Sequence, residues 1–273
     1  MARQRLGQHF LADAGWREEI AREIRVSPQS IAQTVPGEGA EFCWIEIGAG
    51  HGEMTEHLAY TGVPVYAVEL DPVLAAALQR LAKRFPNLEI VSADILESDI
   101  AKIADGKRVR VYGNLPYYIT SPILHHLFAS AEIIDEIDIV IQHEVALRLA
   151  AKPGSRDYGY LSVLTQYFSR PELVMDIPRD AFRPPPEVDS ALVTLRLPGE
   201  RRKLPELDET AFLEFVKLCF SQKRKTLVNN LKSQVKVELV REVLTELKLR
   251  LDTRAEQVSV SYLAAIFSQL HSA

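Results

Sequence analysis

Three closely spaced glycines follow an apolar stretch of the chain and have the spacing of a ligand-binding turn. They stand in the segment Glu46-Ile-Gly48-Ala-Gly50-His-Gly52, after a predicted buried strand and before a predicted helix. Backbone without side chains can approach a ligand closely at this position, the carboxyl end of a sheet. A dinucleotide site would favour the spacing GxGxxG, whereas this segment has GxGxG preceded by an acid. The segment therefore predicts a cofactor site and weakens the case for a nicotinamide dinucleotide.

Acidic and amide side chains follow the next three predicted strands. Glu69 ends the second strand, where a carboxylate can accept hydrogen bonds from both hydroxyls of an adenosine ribose. Asp94 follows the third strand and could accept from an adenine amino group. The segment Asn114-Leu-Pro-Tyr117 follows the fourth strand, is rich in acceptors and ends in an aromatic ring. This combination resembles the S-adenosylmethionine-dependent amino-methyltransferases, whose fourth-strand motif holds a planar amine.

The chemistry of an adenine amine explains why such a motif is needed. This amine is a poor nucleophile because its lone pair is delocalised into the ring. If the side-chain oxygen of Asn114 and the carbonyl of Leu115 accept its two N–H bonds, the nitrogen can pyramidalise and aim its lone pair at a methyl group. No strong base is required, because the proton becomes acidic only after alkylation. We expect Tyr117 to stack on a target base that has left its neighbours, with Pro116 keeping the ring in place.

The elements that must position these residues alternate between strands and helices. Apolar runs predict strands, and periodic or capped segments predict helices. The predicted strands lie within residues 41–50, 65–70, 88–92, 109–113 and 137–142, and the predicted helices at about 52–60, 72–84, 121–129 and 145–151. This alternation predicts an α/β fold, a Rossmann-like parallel sheet with helices on both faces. Residues 173–177 and 188–197 predict two terminal strands that could be antiparallel.

A domain boundary is expected near residue 200. After Pro198 the sequence becomes charged, and from Phe212 apolar residues recur at helical spacing. Residues 201–254 carry 13 Lys/Arg against 8 Asp/Glu, whereas residues 1–200 carry 19 against 28. We therefore predict a catalytic domain over 1–200 and a small all-helical domain over 201–273 that could meet a polyanion.

Length and composition exclude several classes of protein. The chain has 273 residues, 47% hydrophobic and 25% charged, with a net charge of −5, which is typical of an ordinary globular protein and not of a disordered or collagenous one. Its two cysteines, Cys43 and Cys219, have no CxxC spacing and fit a reducing compartment. No metal site is expected, since His125 and His126 are adjacent and would lie on different faces of a helix. Without an apolar membrane span or a signal peptide, we expect the protein to be cytoplasmic. We also expect it to be a monomer.

Eight motifs in order carry a closer resemblance, and they extend from Gly7 to Leu227, most of the chain. Those not already quoted in full are Gly7-Gln-His-Phe-Leu11, Glu46 to Thr55, Val68-Glu-Leu-Asp71, Gly113 to Tyr118, Tyr158-Gly-Tyr-Leu-Ser162, Phe182-Arg-Pro-Pro-Pro-Glu-Val-Asp-Ser-Ala191 and Phe220-Ser-Gln-Lys-Arg-Lys-Thr-Leu227. Together they resemble the ribosomal RNA adenine dimethyltransferase family, most closely its bacterial small-subunit branch, which is linked to kasugamycin sensitivity. That branch converts two adjacent adenosines near the 3′ end of 16S rRNA to N6,N6-dimethyladenosines, with S-adenosylmethionine as methyl donor. The resemblance therefore implies this reaction, and 16S rRNA in the small ribosomal subunit as partner.

The resemblance also implies roles for individual residues. For the cofactor it implies His9, Leu11, Gly48, Gly50, Glu69, Asp94 and Asn114. For the target base it implies Asn114, Leu115, Pro116 and Tyr117, with Phe182 as the second ring that sandwiches the flipped base. For the RNA backbone it implies Lys223, Arg224 and Lys225, on an element that is helical in the family. Phosphate contacts of this kind position RNA without reading its bases.

Two other functions remain open from the sequence. The first is the macrolide-resistance branch, which methylates large-subunit rRNA with the same pocket. The second is a ribosome-assembly factor that keeps the fold but does not need catalysis. The motifs Phe220 to Lys225 and Pro184 to Ser190 favour the small-subunit branch, and the intact Glu69, Asp94 and Asn114 argue against a dead site.

Overall fold

A computed structural model describes residues 9–26 and 42–271 of the chain. Gly7, Gln8 and Glu41, which belong to predicted segments, lie outside the described residues. The chain divides into two compact units. The first comprises Met1–Ala146 and Glu172–Leu197, and the second comprises Leu147–Pro171 and Pro198–Ala273.

The first unit is built on a seven-stranded sheet of order β4-β3-β2-β5-β6-β9-β7. Strands β2 to β6 pair in parallel, and β9 pairs antiparallel to β6. A short separate pair joins β1 to β8. The strands are β1 Phe10–Leu11, β2 Phe42–Ile47, β3 Val65–Glu69, β4 Leu88–Ser92, β5 Arg108–Asn114, β6 Ile134–Gln142, β7 Arg170–Ile177, β8 Phe182–Arg183 and β9 Ser190–Arg196.

Helices connect these strands and cover the sheet. They are α1 Ala14–Glu23, α2 Thr55–Ala59, α3 Pro72–Ala82, α4 Ile100–Ala104, α5 Thr120–Phe128 and α6 His143–Ala150, the last of which continues across the division between the units. Local sequence fixes where several begin. Asp71 caps α3 by accepting a hydrogen bond from the Val73 amide at 2.8 Å, and Pro72 occupies the first helical position.

The predicted α/β class is confirmed. The parallel strands are mostly apolar because helices shield both faces of such a sheet from water; Ile45, Val111 and Ile139 are fully buried examples. Strand β4 has the predicted bounds, and β9 is antiparallel as expected of a terminal strand. Helix α2 is shorter than predicted, because Gly52 has a φ of +89° and begins a turn rather than a helix.

The second unit is helical. It contains α7 Tyr160–Phe168, α8 Glu209–Cys219, α9 Leu227–Leu231, α10 Val237–Glu246 and α11 Val260–His271. Residues 147–171 were predicted to belong to the catalytic domain, but they pack with this unit. Tyr158 donates a hydrogen bond to the carbonyl of Val258 at 3.0 Å, and the rings of Tyr167 and Phe212 lie 5.1 Å apart. The compact unit therefore begins earlier in the chain than residue 200.

Helices of the described ranges are all too short or too polar to cross a lipid bilayer.

Candidate active site

The turn after β2 contains three glycines with positive φ, of which Gly48 and Gly50 come first. Gly48 has a φ of +70°, and a Cβ added there would meet no atom within 4 Å. Gly50 has a φ of +60°, and its added Cβ would lie 3.0 Å from Cε1 of Phe10. Gly48 is exposed and Gly50 is buried. The predicted cofactor turn is therefore open at Gly48 and closed by the N-terminal segment at Gly50.

Glu69 ties this turn to the end of β3. Its Oε2 accepts from the Gly50 amide at 2.8 Å, and its Oε1 accepts from the Asp71 amide at 2.9 Å. The side chain is only 1% exposed. Because each carboxylate oxygen has two lone pairs, the two backbone bonds fix the orientation of Glu69 and leave further acceptor capacity.

Asp94 lies at the end of β4 and begins a single helical turn at Ile95–Glu97. Its Oδ1 accepts from the Leu96 amide at 2.9 Å. Its Oδ2 has no hydrogen-bond partner within residues 9–26 and 42–271. Asp94 is half-buried, so this second oxygen can receive a donor from a ligand.

Asn114 ends β5 and is held by the N-terminal segment. Its Nδ2 donates to the carbonyl oxygen of His9 at 2.8 Å. Because that oxygen can only accept, the amide is oriented with Oδ1 turned away from His9. In the part of the chain that the structure describes, this Oδ1 has no hydrogen-bond partner. Sequence reasoning could not find this contact, since the two residues are 105 positions apart.

The ring that lies against Tyr117 is that of His9. The two rings are stacked, with centroids 5.6 Å apart and planes at 25°. His9 Nδ1 donates to the carbonyl of Pro184 at 2.8 Å, and the hydroxyl of Tyr117 is hydrogen-bonded to that of Ser190 at 3.0 Å. Burial raises the pKa of the Tyr117 hydroxyl, and the hydrogen bond with Ser190 opposes this rise.

Phe182, the second predicted ring, has no exposed surface in this arrangement. Its ring is fully buried in the core, and its backbone pairs with Leu11, also buried, in the β1–β8 ladder. The sandwich of Tyr117 and Phe182 around a base therefore stays a prediction. Leu115 is likewise buried, which leaves its backbone rather than its side chain for substrate. Pro116 follows it, and its carbonyl accepts from the Ile119 amide at 3.2 Å at the start of α5.

Glu46 is a buried acid beneath the glycine turn. It is 2% exposed, and its Oε2 has no partner among the described residues. Burial raises the pKa of Glu46 to about 8, with Glu53 and Glu69 acting in the same direction and the neighbouring Thr55 hydroxyl opposing them. The sequence marked this residue only as the acid before the glycines.

The predicted RNA-contacting residues lie in the second unit. Lys223, Arg224 and Lys225 are all exposed. They form a turn between α8 and α9, so the expectation of a helical element is wrong for these three positions. Lys223 Nζ donates to the carbonyl of Arg156 at 2.7 Å.

The first unit thus gathers most of the predicted site at one edge of the sheet. The glycine turn, Glu69 and Asn114 follow adjacent strands, and His9 joins Asn114 to Tyr117. A family model for ribosomal RNA adenine dimethylases matches residues 1–272 of the chain.

The chain belongs to the ribosomal RNA adenine dimethylase family.

Individual relatives agree with this family. Ribosomal RNA small subunit methyltransferase A of Koribacter versatilis is 38% identical over 279 residues, covering 97% of this chain and 93% of the relative. Among solved structures, a dimethyladenosine transferase from Plasmodium falciparum has a TM-score of 0.78 at 22% identity, covering 97% of this chain and 98% of the other. The 23S rRNA methyltransferase ErmE has a TM-score of 0.68 at 26% identity, covering 96% and 99%. These structures share the fold of this adenine dimethylase along nearly its whole length.

Proposed function

We propose that this protein transfers methyl groups from S-adenosylmethionine to the N6 amines of two adjacent adenosines near the 3′ end of 16S rRNA in the small ribosomal subunit, and that it acts as a cytoplasmic monomer. The observation that carries the proposal is the fixed amide of Asn114, which presents an acceptor at the end of β5. The choice of small subunit over large rests on the Koribacter versatilis relative.

The groups around the glycine turn fit S-adenosylmethionine. Gly48 leaves space that a Cβ would fill, which suits a ligand lying against the backbone. Glu69 keeps acceptor capacity for the ribose hydroxyls, and Asp94 Oδ2 is available to the adenine amine. His9 and Leu11 belong to the N-terminal segment that lies against this turn. When bound, the cofactor supplies a methyl group on a sulfonium, which is an excellent leaving group.

Asn114 and Leu115 hold the target amine. Asn114 Oδ1 accepts one N–H, and the Leu115 carbonyl accepts the other, so that the nitrogen lone pair is directed toward the methyl group. Since His9 holds the donor end of the Asn114 amide, the acceptor end is preorganised and needs no rearrangement. Orientation and electrostatics therefore provide the rate, and no side chain has to act as a strong base.

Tyr117 forms one wall of the base pocket. Its hydroxyl is tied to Ser190 and Pro116 precedes it, so the ring is held from two sides. An adenine that has left its stack can lie against this ring. Phe182 is proposed as the opposite wall, which requires its ring to leave the core packing that it has here.

The turn of Lys223, Arg224 and Lys225 is proposed to contact rRNA phosphates. Exposed cations of this kind position an RNA without selecting its sequence, and their contribution falls as salt rises.

The proposal can be tested by following labelled methyl groups. Small and large ribosomal subunits lacking adenine dimethylation are incubated in parallel with the protein and labelled S-adenosylmethionine. Incorporation into the small subunit alone is expected. Incorporation into the large subunit alone would favour the resistance branch, and cofactor binding without transfer to either would favour an assembly factor.

A further inference from the structure

A row of buried polar side chains crosses the centre of the sheet. Glu46 on β2 pairs in register with Tyr112 on β5, which pairs with Asp138 on β6, which pairs with Thr194 on β9. All four are at most 4% exposed. Directly paired residues project to the same face of a sheet, so these side chains lie side by side. Parallel strands are normally apolar at such positions, which makes the row exceptional in this core.

The row is incompletely hydrogen-bonded. Thr194 donates to Asp138 Oδ1 at 2.6 Å. Three buried oxygens of the row, Glu46 Oε2, Tyr112 Oη and Asp138 Oδ2, have no partner within the described ranges. A buried carboxylate without a partner is strongly unfavourable, so these acids favour their neutral forms.

The row lies next to the candidate active site on the same face. Side chains on one face recur every second residue, and two residues beyond Glu46 and Tyr112 come Gly48 and Asn114. Ala67, which pairs with Glu46, is likewise followed two residues later by Glu69. The rise of a strand puts this next row about 7 Å away. Glu46 is thus the member of the polar row beneath the open glycine turn.

The charges around Glu46 leave it without a compensating cation. Glu53 and Glu69 raise its pKa together with burial, and the Thr55 hydroxyl alone opposes them. Tyr112 and Asp138 follow Glu46 along the row. Burial raises the pKa values of both, and it raises that of Asp138 to about 7. The arginines in this region, Arg110 and Arg196, act on Asp138 at the far end of the row.

We propose that Glu46 is a charge-compensating group for the cationic methyl donor: it holds a proton in the free protein and releases that proton to solvent when a ligand carrying positive charge binds at the glycine turn. The O–H bond of the Glu46 carboxyl breaks, the electron pair stays on the carboxylate, and buffer takes up the proton. An incoming cation stabilises the carboxylate through space, so binding and deprotonation favour each other. The inference rests on the proposed function, since it takes S-adenosylmethionine as the ligand.

Proton release on binding can be measured by isothermal titration calorimetry. S-Adenosylmethionine is titrated into the full-length protein near pH 7 in two buffers of different ionisation enthalpy, and the dependence of the heat on buffer gives the protons released. The variant Glu46→Gln keeps the shape of the side chain but cannot release a proton. Asp138→Asn is the matched control, because it removes a second buried carboxyl of the same row that is farther from the turn. Any titration of the ligand's own amine contributes equally to all three proteins.

We expect wild type and Asp138→Asn to release about one proton more per ligand than Glu46→Gln. Equal proton release by wild type and Glu46→Gln, with normal binding, would overturn this inference and leave the proposed function standing. Absence of S-adenosylmethionine binding by wild type would overturn both.

A second measurement needs no variant. In the wild-type protein, the affinity for S-adenosylmethionine relative to that for S-adenosylhomocysteine, which lacks the sulfonium charge, should rise severalfold between about pH 6 and pH 8. A ratio of affinities that does not change with pH would contradict the role of Glu46 even if Glu46→Gln failed to fold.

Discussion

The substitution Gly48→Ala separates the cost of backbone strain from the cost of blocking a ligand. Gly48 has a φ of +70°, and a Cβ there meets nothing within 4 Å of the protein itself. Gly62 has a φ of +75° and equally open surroundings, but it lies in the turn after α2, away from the strand ends that form the site. Gly62→Ala is therefore a matched control for strain alone.

The two variants should lose similar stability and different amounts of affinity. A side chain in the left-handed region costs about 1 kcal/mol, so both should lower the free energy of unfolding by roughly that amount. At Gly48 the added methyl also enters the space proposed for the cofactor. Overpacking of this kind costs about 1–3 kcal/mol, which corresponds to roughly a 5- to 150-fold weaker affinity for S-adenosylmethionine.

Urea unfolding and calorimetric titration with S-adenosylmethionine measure the two quantities. If the affinity of Gly48→Ala for S-adenosylmethionine lies within about twofold of that of Gly62→Ala, the cofactor does not lie against Gly48. A much larger loss of stability in Gly48→Ala than in Gly62→Ala would instead show that its Cβ position is not open.

Three further perturbations follow from the site. Asn114→Ala should reduce methyl transfer by at least about 100-fold while leaving cofactor affinity within severalfold, because it removes the acceptor for the target amine. Glu46→Gln should be more stable than wild type by up to roughly 5 kcal/mol above pH 8 and should lose this advantage below about pH 4, as measured by urea unfolding across pH. Changing Lys223, Arg224 and Lys225 together to Ala should weaken binding to small subunits and lower its salt dependence, measured by filter binding at several salt concentrations.

The sign of the Glu46 effect follows from its raised pKa. Between about pH 4 and pH 8 the unfolded chain has lost this proton while the folded protein keeps it, so wild-type stability falls as pH rises through this window. A wild-type stability that rises in this window, with no flattening in Glu46→Gln, would contradict the assignment.

The other two predictions have controls of their own. For Asn114→Ala, near-normal turnover would show that methyl transfer does not need the Asn114 side chain. For the lysine and arginine turn, a triple alanine variant of exposed cations in the first unit is the matched control, at Arg80, Lys83 and Lys102. If both triple variants bind small subunits alike, the turn has no special part in RNA binding.

Local sequence predicted the elements of the sheet well because their patterns are local. The capped start of α3 at Asp71 and the apolar run of β4 depend only on neighbouring residues. Helix α7 was missed, since its nine residues include the aromatic and β-branched side chains of Tyr160, Val163 and Phe168, which lower helix propensity. Its assignment to the second unit depends on packing such as that of Tyr167 on Phe212, which no local pattern contains.

Some features of the candidate site could be predicted from local sequence, and others depend on tertiary packing. Gly48, Glu69 and Asn114 could be predicted together, because the carboxyl ends of parallel strands meet at one edge. The hydrogen bond from Asn114 to the His9 carbonyl could not, since it depends on how the N-terminal segment pairs with β8. The neighbours of Glu46 in the sheet could not be predicted either, because they depend on the strand register. A shift of register by one residue would turn Tyr112 and Asp138 to the other face.

Dimethylation of 16S rRNA is tested most directly by mass spectrometry of this RNA after reaction of the wild-type protein with unmethylated small subunits and S-adenosylmethionine. N6,N6-dimethyladenosine is expected at two adjacent positions near the 3′ end, and none when Asn114 is replaced by Ala. Unmodified 16S rRNA, or methylation elsewhere that persists in Asn114→Ala, would contradict the proposed function.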